Sequence, residues 1–331
     1  MNNKEYVIYK LQTNNNIFIS GEDLAKELNI SRAAISKIIK DIKNSGIIIE
    51  SVQNKGYKLS SANDLLSLDI LRDNLKNRGL KYNVQLHSTV DSTNLEAKRL
   101  IASNDSLEKT LIVSGEQLKG KGRFGKDFFS PKNSGVYFSI IENAITDLSN
   151  STFITICTAL SICKAIEKLT DYSPKIKWVN DIFLEDRKTC GILTEAISNF
   201  ETGEVEKLII GIGVNFSTTD FPQEIKDIAG PIFKKPEDNI NHITRNDLVV
   251  EIVYELNKYF ENFDSINIKE LIREYKSRSN IIGKNIIVTL SNQQPFNAKA
   301  LDINNLGHLI VKKENLELFT LNYGDVSIRK F

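Results

Sequence analysis

Gln117-Leu118-Lys119-Gly120-Lys121-Gly122-Arg123-Phe124-Gly125-Lys126 is the stretch on which the reading of this chain turns. From Gly120 to Lys126, three glycines alternate with three cations, Lys121, Arg123 and Lys126. Glycine lets backbone amides come close to an anion, and lysine and arginine neutralise phosphate. The spacing is not G-x-x-x-x-G-K-[ST], which excludes a P-loop. Nor does it stand as a G-x-G-x-x-G directly after a strand, which argues against a dinucleotide-binding Rossmann fold. On composition alone it is either a basic surface loop or a loop that orders over its ligand.

Four polar motifs surround this loop in sequence. Asp91-Ser92-Thr93-Asn94 precedes the helical stretch 95–100 and reads as a helix start, a place that also holds polar ligands through hydroxyls and amides. Lys177-Trp178-Val179-Asn180-Asp181 contains the only tryptophan. Lys188 then precedes the apolar run Cys190-Gly191-Ile192-Leu193, where it either enters a cleft or protects a sheet edge. Gly211-Ile212-Gly213-Val214-Asn215 closes a further strand-like run. Strand patterns over 111–115, 136–141, 191–197 and 208–214 alternate with helices near 152–169 and 247–262, and a helix over 69–78 leads in. Strands and helices are mixed rather than strictly βαβ, so an α+β fold with a central mixed sheet flanked by helices is expected. Cys157 shares a helix face with Phe153, Ile156 and Leu160, so core packing accounts for it.

The first 60 residues have a different grammar. A helix over 4–12 is followed by a second from the Ser20 cap to about Leu28, a turn at Asn29-Ile30, and a third helix capped by Ser31 and stopped at Gly46. Ile35, Ile38, Ile39 and Ile42 define the buried face of that third helix. Segments 47–52 and 57–59 alternate like strands around Gln53-Asn54-Lys55-Gly56. Helix, helix, turn, basic helix and wing make a winged helix-turn-helix. Arg32, Ser36, Lys37 and Lys40 would face the major groove, and Lys55 the backbone. With nine Lys/Arg against six Asp/Glu in this segment, one head binds DNA weakly, and two are needed. The plainer reading is a small helical interaction module with solvating lysines. Residues 61–64 read as a polar linker.

The tail changes character again: short strands over 285–290, 296–303, 308–312, 316–321 and 325–329, separated by Asn/Gly/Gln turns, point to a small β-barrel. The expected division is therefore 1–63, 64–278 and 279–331. The chain has 331 residues with 43 basic and 42 acidic side chains, so net charge identifies no partner. No apolar run spans a bilayer and no signal-peptide core is seen, so a cytoplasmic, non-membrane protein is expected. Cys157, Cys163 and Cys190 lack metal-ligand spacing.

Residues 91–94, 120–125, 177–181, 188–193 and 211–215, in this order and spacing, resemble biotin–protein ligases. The ending Gly324-Asp325-Val326-Ser327-Ile328-Arg329 resembles the C-terminal, SH3-like barrel of that family. With the winged helix in front, the whole chain resembles the bifunctional biotin ligase and biotin operon repressor. The resemblance implies a catalytic fold like that of class II aminoacyl-tRNA synthetases, with biotin and ATP as substrates and Mg²⁺ accompanying ATP. Ser92, Thr93, Asn94, Gln117, Lys121, Gly122, Arg123, Lys188, Leu193 and Gly211 would surround biotin, with Ser92 and Thr93 on its ureido ring. Lys121, Arg123, Phe128, Lys177, Asn180, Asp181, Lys188 and Asn215 would bind ATP or the adenylate, adenine lying by Phe128 and the segment after Asn215, with Phe221 beside it. Lys188 and Arg123 would be catalytic. Metal ligands are not specified.

Lys121 stands where that family usually has arginine, Phe124 where a cation is frequent, Phe128 where tryptophan is, and Val179 where proline is. The implied partners are a biotin carboxyl carrier domain (of acetyl-CoA or pyruvate carboxylase), operator DNA, and a second copy of the chain when the adenylate is bound. The repressor would control genes of biotin synthesis and uptake. Three other readings stay open on the sequence: a monofunctional ligase with a vestigial head, a catalytically inactive biotin sensor, and a lipoate ligase on the same fold.

Overall fold

Helix ends set the geometry of the head in the computed structural model, which describes the chain except residues 1, 15–16, 45–46, 61–62, 105–106, 108, 145–150, 200, 291–292 and 329–331. Helix α1 (Asn3–Thr13) opens on a capping box between Asn2 and Glu5. Helix α2 (Gly21–Leu28) is capped by Ser20, whose hydroxyl accepts the Asp23 amide, and stops at Asn29 in the left-handed region. The chain therefore turns at once into α3 (Arg32–Asn44), where Ile35, Ile39 and Ile42 are buried against Val7, Leu11 and Leu24, and Ile38 is half-buried. Gly46, the expected stop, lies outside the described residues. Strands β1 (Ile49–Val52) and β2 (Gly56–Leu59) form the antiparallel wing. Gly56 is required there, because its φ is +107° and a Cβ would sit 2.0 Å from the Ile19 carbonyl oxygen. Ile19 pairs with Tyr57, a bridge that no sequence period announces.

The segment expected as a polar linker connects β2 to the next helix and is bound on both sides. Ser61 and Ala62 lie outside the described residues, but the Asn63 amide group exchanges hydrogen bonds with the Ile48 backbone (2.9 and 2.7 Å). Asp64 accepts from the backbone N–H and Nε of Arg245 (2.9 and 2.8 Å), a residue only 1% exposed. Asn246 holds the Leu65 carbonyl and the Ser67 amide. A buried guanidinium is stable only with such partners.

Beyond α4 (Leu68–Asn77) lie β3 (Asn83–His87), α5 (Thr93–Ser103), β4 (Thr110–Ser114), β5 (Val136–Asn143) and α6 (Ser151–Leu169). Then come β6 (Lys175–Lys177), β7 (Asp181–Leu184), β8 (Arg187–Ser198), β9 (Val205–Val214), α7 (Arg245–Glu261) and α8 (Ile268–Ser277). The seven strands form one sheet in the order β3-β4-β5-β9-β8-β7-β6, parallel only between β3 and β4. Period-2 alternation sorts its two faces. Phe138, Ile140, Ile192, Ile210 and Ile212 join Ile156, Cys157, Leu160 and Cys163 of α6 in the main core. The other face carries α5, seated through Ala97 on Ile112, Ile141 and Ile209, with Gly191, Gly211 and Gly213 beside it.

The tail supplies β10 (Asn285–Thr289), β11 (Phe296–Ile303), β12 (Leu309–Lys313), β13 (Leu318–Leu321) and β14 (Asp325–Ile328), an antiparallel sheet ordered β13-β12-β11-β10-β14. Arg329, the expected strand end, lies outside the described residues. The core of this sheet runs on into that of the central sheet, and Trp178 Nε1 donates to the Gly307 carbonyl at 2.9 Å. No helix among the described residues is long and apolar enough to cross a membrane.

Candidate active site

Three glycines on the α5 face of the central sheet decide where the site lies. Ser139 of β5, Gly211 of β9 and Leu193 of β8 stand in one cross-strand row, and Tyr137, Gly213 and Gly191 in the next row but one along. A Cβ on Gly211 would lie 2.2 Å from Asn94 Oδ1. One on Gly213 would lie 2.5 Å from the Phe128 ring, and one on Gly191 3.2 Å from it. The first row is thus a bed for the start of α5, and the second a bed for an aromatic ring. That ring also meets Tyr137 edge-on, with centroids 6.5 Å apart.

Around these beds opens a cavity of about 970 Å³. Ser92, Thr93 and Asn94 enter it from the start of α5, and all three are buried. Gln117 accepts the Thr93 amide at 2.9 Å and donates to Ser130 Oγ at 2.9 Å. Asp91, just before, is clamped by both guanidinium nitrogens of Arg99 (3.0 and 2.7 Å) and accepts the Ser92 amide (2.7 Å). The Arg99 hydrogen bonds hold its carboxyl down at about 2.

The glycine–cation loop lies across the mouth. The Gly122 amide donates to the Lys126 carbonyl (2.7 Å), Phe124 and Gly125 both take positive φ, and the Phe128 amide returns to the Gly120 carbonyl (2.9 Å). Gly120 is needed for close approach, since a Cβ would meet the Phe128 carbonyl oxygen at 2.3 Å. Lys121 is exposed at the rim, and Gly122 and Arg123 line the interior. Arg123 donates to Asn180 Oδ1 (3.1 Å), and burial lowers its pKa against the pull of Asp181 and Asp325. Lys126 is ion-paired to Asp325 of β14.

Opposite the loop, Lys188 and Lys177 converge on Asp181 at 2.7 and 3.3 Å. Strand β8 is flanked by β7 and β9, so Lys188 is not at a sheet edge. Its backbone pairs with the segment 228–230. Asn215 is buried with its Oδ1 lacking a hydrogen-bond partner among the described residues. The Trp178–Val179 peptide bond beside Asn180 is cis.

Every residue that the sequence reading assigned to biotin or nucleotide lines this one cavity, including Leu193, Gly211 and Phe221. That reading missed the contribution of the tail sheet, where Lys284, Ile287 and the residues Asp325–Ile328 complete the wall. Lys177 reaches to 3.9 Å of Asp325. Burial works against the Asp325 carboxylate, yet Lys126 and Lys177 keep its pKa below the usual range. The Gly324–Arg329 ending carries a family signature, but no local pattern tells which strand of a small sheet faces a neighbouring domain. Segment 225–229, also missed, carries no motif at all. In the head, Arg32, Ser36, Lys37 and Lys40 are all exposed on α3, and Lys55 is exposed at the wing tip.

Fold and site together define the class: a biotin/lipoate-type ligase domain carried behind a DNA-binding head. Residues 86–215 match the Biotin/lipoate A/B protein ligase family, 281–329 the Biotin protein ligase C terminal domain, and 3–58 an HTH domain. The chain is 31% identical to the bifunctional ligase/repressor BirA of Bacillus subtilis over 90% of each protein. It is 24% identical to that of Escherichia coli over 95% of this chain and 94% of that one. The biotin protein ligase of Aquifex aeolicus in complex with biotin and ATP shares the fold at a TM-score of 0.62, with 24% identity over 75% of this chain and 99% of that one. This chain belongs to the family of bifunctional biotin ligase/repressors.

Proposed function

We propose that the chain activates biotin with ATP, transfers it to a lysine of a carrier protein, and represses transcription in response to biotin through its head. The single observation that carries the ligase reading is one cavity with two chemically distinct ends. At one end stand the buried hydroxyl and amide groups of Ser92, Thr93 and Asn94 and the half-buried amide of Gln117, beside Leu193 and Gly211. At the other stand Lys188, Lys177 and Arg123 around Asp181, next to the ring of Phe128.

The first end suits a small ring bearing polar edges, with Ser92 and Thr93 on its ureido group. The second suits a carboxylate facing a triphosphate, with adenine against Phe128 and Phe221. The biotin carboxylate oxygen attacks the α-phosphorus of ATP, a new O–P bond forms, the bond to the β-phosphate oxygen breaks, and pyrophosphate leaves. Negative charge grows on phosphoryl oxygens in that step, and Lys188 and Arg123, already aimed into the cavity, stabilise it without reorganisation. A carrier lysine amine then attacks the acyl carbon, giving an amide and releasing AMP, while the amine proton passes to solvent. The Gly120–Lys126 loop, latched through Lys126 to Asp325, keeps water from the anhydride.

Mg²⁺, when it arrives with ATP, adds charge neutralisation on the phosphates. The donor set fits such a visitor. No group of three or more His, Cys, Asp or Glu occurs among the described residues, but Asp181 and the unpartnered Asn215 Oδ1 offer the one or two oxygens that phosphate-borne Mg²⁺ takes.

For the second function, Arg32, Ser36, Lys37, Lys40 and Lys55 contact operator DNA, and adenylate-driven homodimerisation pairs two heads. The division 1–63, 64–278 and 279–331 belongs to the same proposal, as do carrier domains of acetyl-CoA or pyruvate carboxylase as acceptors. The test is mass spectrometry of a biotin carboxyl carrier domain incubated with the protein, biotin and MgATP. A biotin-sized increase on one lysine, lost in Lys188→Ala, is expected. An unmodified carrier that a control ligase does biotinylate overturns the reading.

A further inference from the structure

Behind the buried hydroxyls runs a chain of hydrogen bonds that ends outside the cavity, at Glu195. Asn94 is 4% exposed and Ser139 fully buried. The Asn94 side-chain Nδ2 donates to Glu195 Oε2 at 2.7 Å and to the Leu193 carbonyl at 3.3 Å. Ser139 Oγ donates to Asn94 Oδ1 at 2.6 Å and lies 2.7 Å from Thr93 Oγ1. Glu195 Oε1 takes an ion pair from Lys98 at 2.7 Å. Neither Glu195 nor Lys98 lines the cavity.

The protons along this chain can be assigned from one end. A carboxylate only accepts, so the NH₂ of Asn94 must face Glu195 and its carbonyl oxygen must face Ser139. An amide oxygen also only accepts, so the single proton of Ser139 is committed to Asn94. Two hydroxyl oxygens 2.7 Å apart need a proton between them, and only that of Thr93 is left to supply it. The other partner within reach of the Thr93 hydroxyl, Gln117 Oε1 at 3.2 Å, is again an acceptor. At that longer distance Gln117 competes weakly with Ser139, so the Thr93 proton lies on the line to Ser139, and its oxygen meets the cavity as an acceptor.

We propose that Glu195 is a positioning and specificity-determining residue: by fixing the polarity of the Asn94–Ser139–Thr93 chain, it makes the cavity floor select a ligand ring with an N–H at Thr93. The inference rests on the reading that this end of the cavity holds the ureido ring, and it adds the residue that sets which hydrogen-bond pattern is accepted. Lys98 has no part in the polarity, because the carboxylate remains an acceptor without it.

The test compares adenylate formation by the wild type, Glu195→Ala and Lys98→Ala with biotin and with the two cyclic-carbamate analogues, each having one ring N–H exchanged for oxygen. Wild type and Lys98→Ala are expected to prefer biotin over the analogue that misplaces an acceptor at Thr93 by roughly 10- to 100-fold in kcat/KM. In Glu195→Ala that preference collapses to a few-fold or less, KM for biotin rises, and KM for ATP stays within about twofold. A salt bridge that merely braces α5 predicts instead that both variants suffer alike. Equal behaviour of the two, both impaired or both unimpaired, overturns the proposal. Ser139→Ala cuts the same chain at its next link and carries the same expectation, so a Glu195 variant that fails to fold leaves the test standing. Failure of the wild type to form any adenylate refutes the ligase reading itself, a different outcome from adenylate formed with unaltered selectivity.

Discussion

Placing a methyl group on each of two glycines in one strand should separate the two ends of the cavity. In Gly213→Ala the new Cβ would lie 2.5, 2.8 and 2.9 Å from three carbons of the Phe128 ring, so the ring must withdraw by roughly 1 Å to reach ordinary contact. Tyr137, the cross-strand neighbour of Gly213, meets the ring edge-on and limits its sideways shift. Overpacking of this size costs about 1–3 kcal/mol. If the ring is the adenine bed, that cost appears as a KM for ATP raised by roughly 5- to 150-fold, at about tenfold per 1.4 kcal/mol. In Gly211→Ala, two residues away on the same face, the Cβ would lie 2.2 Å from Asn94 Oδ1. There the displaced group belongs to the polar end, so KM for biotin should rise and KM for ATP should hold. ATP–pyrophosphate exchange at varied biotin and varied ATP measures both constants, with thermal unfolding run alongside to confirm that each variant is folded. If both variants raise the same constant, or if Gly213→Ala affects biotin alone, the assignment of the two beds is wrong.

Four further outcomes are expected. Lys188→Ala should lower the rate of adenylate formation by on the order of 100- to 1000-fold in single-turnover assays, as expected for loss of one preorganised charge; an unchanged rate would remove Lys188 from the chemistry. Lys37→Ala and Lys40→Ala should each weaken operator binding and reduce the slope of log affinity against log salt by about 0.9, with carrier biotinylation unaffected. Asp64→Ala leaves the Arg245 guanidinium, 2% exposed in its side chain, without its carboxylate, and should lower unfolding free energy in urea by about 3 kcal/mol; a loss below about 0.5 kcal/mol would show that the linker is not held by this pair. Burial pushes the Cys157 and Cys163 thiols up to about 12, and Cys190 well above its ordinary value. Because the thiolate is the reactive form, none should react with a thiol reagent at pH 8 until denaturant is added, and rapid labelling of the native protein would contradict their packing.

The polar groups that line the cavity could be singled out before any fold was known. The alternation of glycine and cation from Gly120 to Lys126, the hydroxyls at 92 and 93, and Lys188 ahead of an apolar strand each have an ordinary structural use alone, and it is their shared order and spacing that singled them out. The head was equally legible, since Ser20, Asn29 and the isoleucines of α3 act through bonds and periods spanning only a few residues. The anchoring of Asp64 within the linker was not legible, because its partner, Arg245, lies 181 positions away. Asp325 was seen as part of a strand but not as a latch, since pairing with Lys126 depends on how one sheet is set against another.

The features legible along the chain are therefore local. Caps, turns, strand alternation and the polar side chains that line the cavity could be read there, all of which follow from backbone sterics and side-chain chemistry over a turn or a strand. Which groups face which was decided only by tertiary structure. The register that lines up Ser139, Gly211 and Leu193, the bed that two glycines leave for Phe128, and the path from Glu195 through Asn94 to Thr93 each join residues separated by tens to about a hundred positions. No local pattern encodes such contacts, because they exist only where the packing of α5 and the pairing of three strands bring the side chains within hydrogen-bond reach.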